Sequence, residues 1–189
     1  MATTETKRKV FISFHHANDQ NYKDKFEEKF KDIFINKSVK KDEYDEDLST
    51  DYIKRLIRED KISDSSVVVV LIGSETYKRK HVDWEISAGL SKKAGGYSGL
   101  IGILLPSYYD DKANQHLKGQ EKYNTSTIPP RLQDNIKTGY ASIYKWESTA
   151  SKNEKGEYPI KNWINAAFDR KNNNSDLIDN SREQFKNNR

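Results

Sequence analysis

A chain of 189 residues, 34% of them hydrophobic, is long enough to bury one core and too short for two generous ones, so a single domain is expected over 1–189, with a core at about 8–171 and a polar C-terminal tail at 172–189. Cysteine is absent, which excludes a disulfide framework, thiolate metal sites and cysteine nucleophiles. The 33 basic residues barely outnumber 29 acidic ones, and without a basic helix stripe or stacking platform the excess reads as solvated surface and not as a nucleic-acid footprint.

No stretch approaches the roughly 20 apolar residues of a membrane span, and the opening MATTETKRK lacks the apolar segment of a signal peptide. These features predict a cytoplasmic protein with no membrane or nucleic-acid partner.

The first predicted strand is Lys9 to Phe14, followed by the polar turn His15-His16-Ala17-Asn18-Asp19. Tyr22, Phe26, Phe30, Ile33 and Phe34 then mark the buried face of a helix that Asn18 or Asp19 is placed to cap. After a short strand around Ile35 to Val39, the acids Asp42, Glu43, Asp45, Glu46 and Asp47 crowd a loop that lacks the sharp-turn glycine of a calcium-binding hand. Ser49, Thr50 or Asp51 opens a helix with Ile53, Leu56 and Ile57 on its apolar face.

Val67 to Ile72 is an uninterrupted aliphatic run closed by Gly73, the pattern of a strand covered on both faces in a parallel sheet. Val82, Ile86, Gly89 and Leu90 follow at helical spacing and place Glu85 near the start of a helix. Ligands of open α/β sheets bind beyond the carboxyl ends of the strands, where helix N-termini also gather. Glu85 is therefore well placed for chemistry; position alone equally suits a charge that complements a helix N-terminus.

Gly95-Gly96 ends the helical pattern, and Leu100 to Leu105 forms another buried strand stopped by Pro106. The stretch 107–139 contains Pro129-Pro130 and little periodicity, and reads as a long loop. Ala141 to Trp146 is the last strand, and Ile160, Trp163, Ile164, Ala167 and Phe168 line a final helix opened by Pro159. The polar tail from Asn172 is expected to fray unless Leu177, Ile178 and Phe185 dock it. Four or five strands alternating with helices predict an α/β fold, a flavodoxin-like, open, mainly parallel sheet flanked by helices.

No G-x-G-x-x-G, P-loop, G-x-S-x-G or H-E-x-x-H motif is present. The histidines are His15, His16, His81 and His116; the adjacent pair points to opposite sides of an extended chain, so no metal site is expected.

Three blocks, VFISFHHAND, VVVVLIGSETYKRK and HVDWEISAGL, lie in the order seen in the TIR-like family of bacterial anti-phage defence, and resemble most the ThsB proteins of Thoeris systems. The likeness covers roughly residues 8 to 105. It implies a TIR-type fold that takes NAD as substrate, with no further cofactor, breaks the nicotinamide–ribose bond, and makes a cyclic or otherwise modified ADP-ribose second messenger for a downstream effector. Glu85 matches the family's catalytic glutamate. The resemblance also puts Phe11, Ser13, Phe14 and His15 beside the substrate, with Trp84 facing the pocket. Where TIR enzymes often show Trp-x-x-x-Glu, this chain has His81, whose imidazole can stack and can also carry charge near neutral pH. The resemblance marks the acidic 42–50 loop as a mobile loop; with 107–139 it is a candidate lid.

Two other readings stay open on the residues. One is a non-catalytic TIR adaptor acting by self-association and other protein contacts. The other is a phosphate-accepting receiver, which wants an aspartate cluster after the first strand, where only Asp19 stands.

Overall fold

A computed structural model of the protein describes residues 6–39, 56 and 59–189. Five strands, β1 (Arg8–Ser13), β2 (Phe34–Asn36), β3 (Val67–Ile72), β4 (Gly99–Leu104) and β5 (Ala141–Lys145), form one sheet in the order β2-β1-β3-β4-β5, with every neighbouring pair parallel. Among the described residues, four α-helices of eight or more residues flank it: α1 (His16–Phe30), α2 (Lys80–Gly89), α3 (Pro130–Lys137) and α4 (Pro159–Asn173); residues 59–63 are also helical. This is the expected flavodoxin-like α/β arrangement. Its order reverses direction between β1 and β3, the switch point at which open sheets of this kind bind ligands.

Side chains of β3 divide by parity between the two faces of the sheet. Val68, Val70 and Ile72 join Val82, Ile86 and Leu90 of the α2 region and Leu132 of α3. Val67, Val69 and Leu71 join Phe26 and Phe30 of α1 and Ile160 and Ile164 of α4. All six β3 residues are at most 1% exposed, and burying each such side chain contributes about 1.5–3 kcal/mol. Parity in β1 likewise puts Phe11 and Ser13 on the α2 side, and Val10 and Ile12 on the α1 side. At Gly99 a Cβ would run into the main chain of Ala167, so glycine lets α4 cross close over β4.

The structure departs from the sequence reading in several places. Helix α1 stops at Phe30, so Ile33 follows it in a turn and Phe34 opens β2 instead of both extending the helix face. Helix α1 begins at His16, so Asn18 and Asp19 lie inside its first turn and donate their N–H groups to the His15 carbonyl instead of capping from outside. Strand β2 stops at Asn36, three residues earlier than expected. The stretch 107–139 is not a structureless loop: three short 3-10 turns wrap the buried Tyr108, whose hydroxyl meets Thr127 Oγ1 at 2.9 Å and accepts from the Asn124 N–H at 2.9 Å, before α3 begins at Pro130. The tail is docked rather than frayed. Leu177 and Ile178 pack on the α2-side core and Phe185 is buried. The acidic 42–50 loop and the helix start at 49–51, with Ile53 and Ile57, lie outside the described residues; Leu56 is helical and exposed.

Candidate active site

Three consecutive features of the switch point build the site. Strand β1 ends at Ser13, which its parity turns toward α2. Strand β3 ends at Ile72, and from Gly73 a turn through Thr76 leads into α2, which carries Glu85 in its second turn on the side that holds Val82 and Ile86 against the sheet. The Ser13 hydroxyl donates to Glu85 Oε2 at 2.5 Å, with Ser13 0% and Glu85 3% exposed. The bond joins two residues 72 positions apart in a setting screened from water.

A second buried carboxylate lies at the same end of the sheet. Asp19, in the first turn of α1, is 0% exposed and its Oδ1 accepts from Ser107 Oγ at 2.8 Å, just past the end of β4. Its Oδ2 is buried without a hydrogen-bond partner. A Cβ on Gly73 would collide with this carboxylate, so glycine at the end of β3 makes room for it. Burial pushes the Asp19 carboxyl above its ordinary range and nearby Asp110 adds to the rise, while the Ser107 and Thr76 hydroxyls oppose it. One acid thereby gathers the ends of β1, β3 and β4.

His15 is also buried, and its Nδ1 has no partner. Burial lowers its pKa, the Arg79 charge lowers it further, and Glu75 opposes them, so imidazole is the form held at neutral pH. Glu75 accepts from Arg79 at 2.7 Å and from Asn18 at 3.3 Å, tying the start of α1 to the turn before α2.

A family described as Thoeris protein ThsB, TIR-like domain, matches this chain over residues 11–110. The chain belongs to the ThsB TIR-like family. Comparison with curated proteins gives no match. The matched stretch of this ThsB family member contains the second half of β1, β2 to β4, α1, α2, Ser13, Asp19 and Glu85; β5, α3, α4 and the tail follow it.

Of the residues that the ThsB resemblance singled out, the structure brings Ser13 and Glu85 into direct contact. Phe11 lies in the α2-side core. Phe14 belongs to the core on the opposite face and packs on His16, with ring centroids 4.2 Å apart. His81 and Trp84 meet edge to face at 5.2 Å, and the Trp84 indole N–H donates to the Phe185 carbonyl in the tail at 2.9 Å. Sequence reasoning passed over the Asp19–Ser107 contact and the role of Gly73; a glycine closing the central strand was the only visible sign of a close approach there.

Among the described residues no three His, Asp or Glu side chains converge as a metal site, and no helix is long and apolar enough to cross a membrane. A cavity of about 460 Å³ opens at the amino ends of the strands, lined by Lys7, Arg8, Lys29, Lys152 and Lys161 together with Asp32 and Glu157. It lies away from Glu85.

Proposed function

We propose that the protein is an NAD-processing TIR enzyme of anti-phage defence, which cleaves the nicotinamide–ribose bond and makes a cyclic or modified ADP-ribose messenger that activates a partner effector. The observation that carries this reading is the buried Ser13–Glu85 hydrogen bond at the carboxyl ends of the strands in a ThsB family member.

Nicotinamide leaves NAD as a neutral molecule, so the chemistry needs little leaving-group protonation. It needs stabilisation of the positive charge that develops at the anomeric carbon, the work carboxylates do in glycosidases. Ionised Glu85 supplies that charge, and the Ser13 hydroxyl holds its Oε2 in place. The same carboxylate accepts the proton of an incoming nucleophile, a general-base contribution of typically 10²–10⁴-fold. Burial strengthens both effects, because the same charges interact more strongly away from water.

Glu85→Gln keeps an oxygen to accept from Ser13 and removes the charge. The variant is expected to fold and to lose turnover. Mass spectrometry of nucleotides from phage-challenged cells, at matched soluble levels of wild type and variant, checks this: an ADP-ribose-derived species present only with the wild type supports the enzyme. Identical nucleotide profiles in cells that both proteins still protect would support the adaptor reading.

A further inference from the structure

Helix α2 is held from two sides. Val82, Glu85, Ile86 and Gly89 lie toward the sheet, while Lys80, Asp83, Trp84 and Ser87, at the i, i+3, i+4, i+7 spacing of a single stripe, lie on the opposite side. Every member of that second stripe is bonded to the C-terminal segment. The Lys80 N–H donates to Asn188 Oδ1 at 3.0 Å, the Phe185 N–H donates to Asp83 Oδ2 at 2.9 Å, and the Trp84 indole donates to the Phe185 carbonyl. Gln184 donates to Ser87 Oγ at 2.9 Å and Asn180 to the Ser87 carbonyl at 3.1 Å. Beneath them, Arg131 of α3 donates from Nε and Nη2 to the two oxygens of Asp83 at 3.0 and 3.3 Å, and from Nη1 to Asn180 Oδ1 at 2.8 Å. Arg131 is 1% and Asp83 2% exposed.

We infer that Arg131 and the segment 180–189 form a clamp whose purpose is to fix the rotation of α2 about its axis, and so to seat Glu85 on Ser13. The inference rests on the reading of Glu85 as the catalytic residue. Asp83 and Trp84 immediately precede Glu85, so a helix turned by even one residue's worth of rotation, about 100°, carries the carboxylate off the serine. Burial of Val82 and Ile86 against the strands favours the seated rotation, and the directional bonds on the outer stripe define it more narrowly. Arg131, Gln184 and Asn188 are therefore positioning residues, and all lie beyond the part of the chain that matches the family.

The test uses the full-length chain with Arg131→Lys, which keeps the charge and loses the fork, and with the surface double variant Gln184→Ala/Asn188→Ala, which leaves every core residue in place. Hydrogen exchange is followed at the amides of α2, β3 and β4, and NAD turnover is resolved into kcat and KM. The clamp predicts exchange at least tenfold faster in α2 with β3 and β4 unchanged, and a kcat at least tenfold lower with KM within about twofold. Unchanged α2 exchange in both variants would overturn it, as would equal acceleration in α2, β3 and β4, the mark of a merely structural role. Should the wild type itself turn over no NAD, the enzymatic reading fails, and α2 exchange alone then decides the clamp.

Discussion

Ser13 shows how one hydroxyl sets a site. Its removal in Ser13→Ala leaves a buried carboxylate oxygen without its donor, a loss of about 1–3 kcal/mol. Thermal melting should fall accordingly, and turnover should fall with it; adding Glu85→Gln to Ser13→Ala should remove the turnover that remains, whereas adding Ser13→Ala to Glu85→Gln should cost activity little more, since the hydroxyl acts through the carboxylate. Asp19 makes a prediction in pH. Its folded pKa lies above the ordinary value, near 3.9 for an unfolded chain, so the folded state binds the proton more tightly. Stability is then full below about pH 4 and declines as pH rises through the raised value. Asp19→Asn keeps the oxygen that accepts from Ser107 and removes the ionisation. Melts of the two proteins should converge at about pH 4, and the variant should lie higher at about pH 8, each kcal/mol appearing as about 2–4 °C in a chain of this size.

At the scale of elements, the turn after β3 and the attachment of α2 carry the tests. Gly73→Ala drives a methyl group into the Asp19 carboxylate, an overpacking of about 1–3 kcal/mol. In a double-mutant cycle that penalty should shrink when Asp19 is also shortened to alanine, and additive melting shifts would show that the two do not touch. Arg131→Met strands the Asp83 charge in the interior; breaking one side of such a pair costs about 3–5 kcal/mol, a fall in melting temperature of about 6–20 °C. What could be read in the sequence follows the same division. Strands β3 and β4 and helix α4 were legible because burial imposes a periodicity on their residues. Helix α3 was not, since only Leu132 and Ile136 mark its apolar side within Pro-Arg-Leu-Gln-Asp-Asn-Ile-Lys. The docked tail was illegible for a related reason. Asn180, Gln184 and Asn188 bind through amide hydrogen bonds, which leave no hydrophobic pattern behind them. Glu85 could be found from its position after a strand, yet its partner Ser13 is 72 residues away and only the fold joins them.

Across the whole molecule, the candidate site and the cavity lined by lysines lie at opposite ends of the sheet. The carboxyl ends of β1, β3 and β4 gather Ser13, Asp19, Glu85 and Ser107, whereas the basic lining of the 460 Å³ cavity sits at the amino ends. The sequence-wide excess of four positive charges gave no hint of that separation. The clamp adds an order in time. It ties residues 78–87 to Arg131 and to residues 180–189, including the Arg189 N–H on the Lys78 carbonyl. A nascent chain grows from its amino end at about 5–20 residues per second, so α2 is synthesised several seconds before the segment that braces it. During that interval the chain already contains Ser13 and Glu85 but not the brace that aligns them. On the proposed reading the glutamate is thus aligned only after residues 180–189 have been made and have docked, seconds after the helix that carries it.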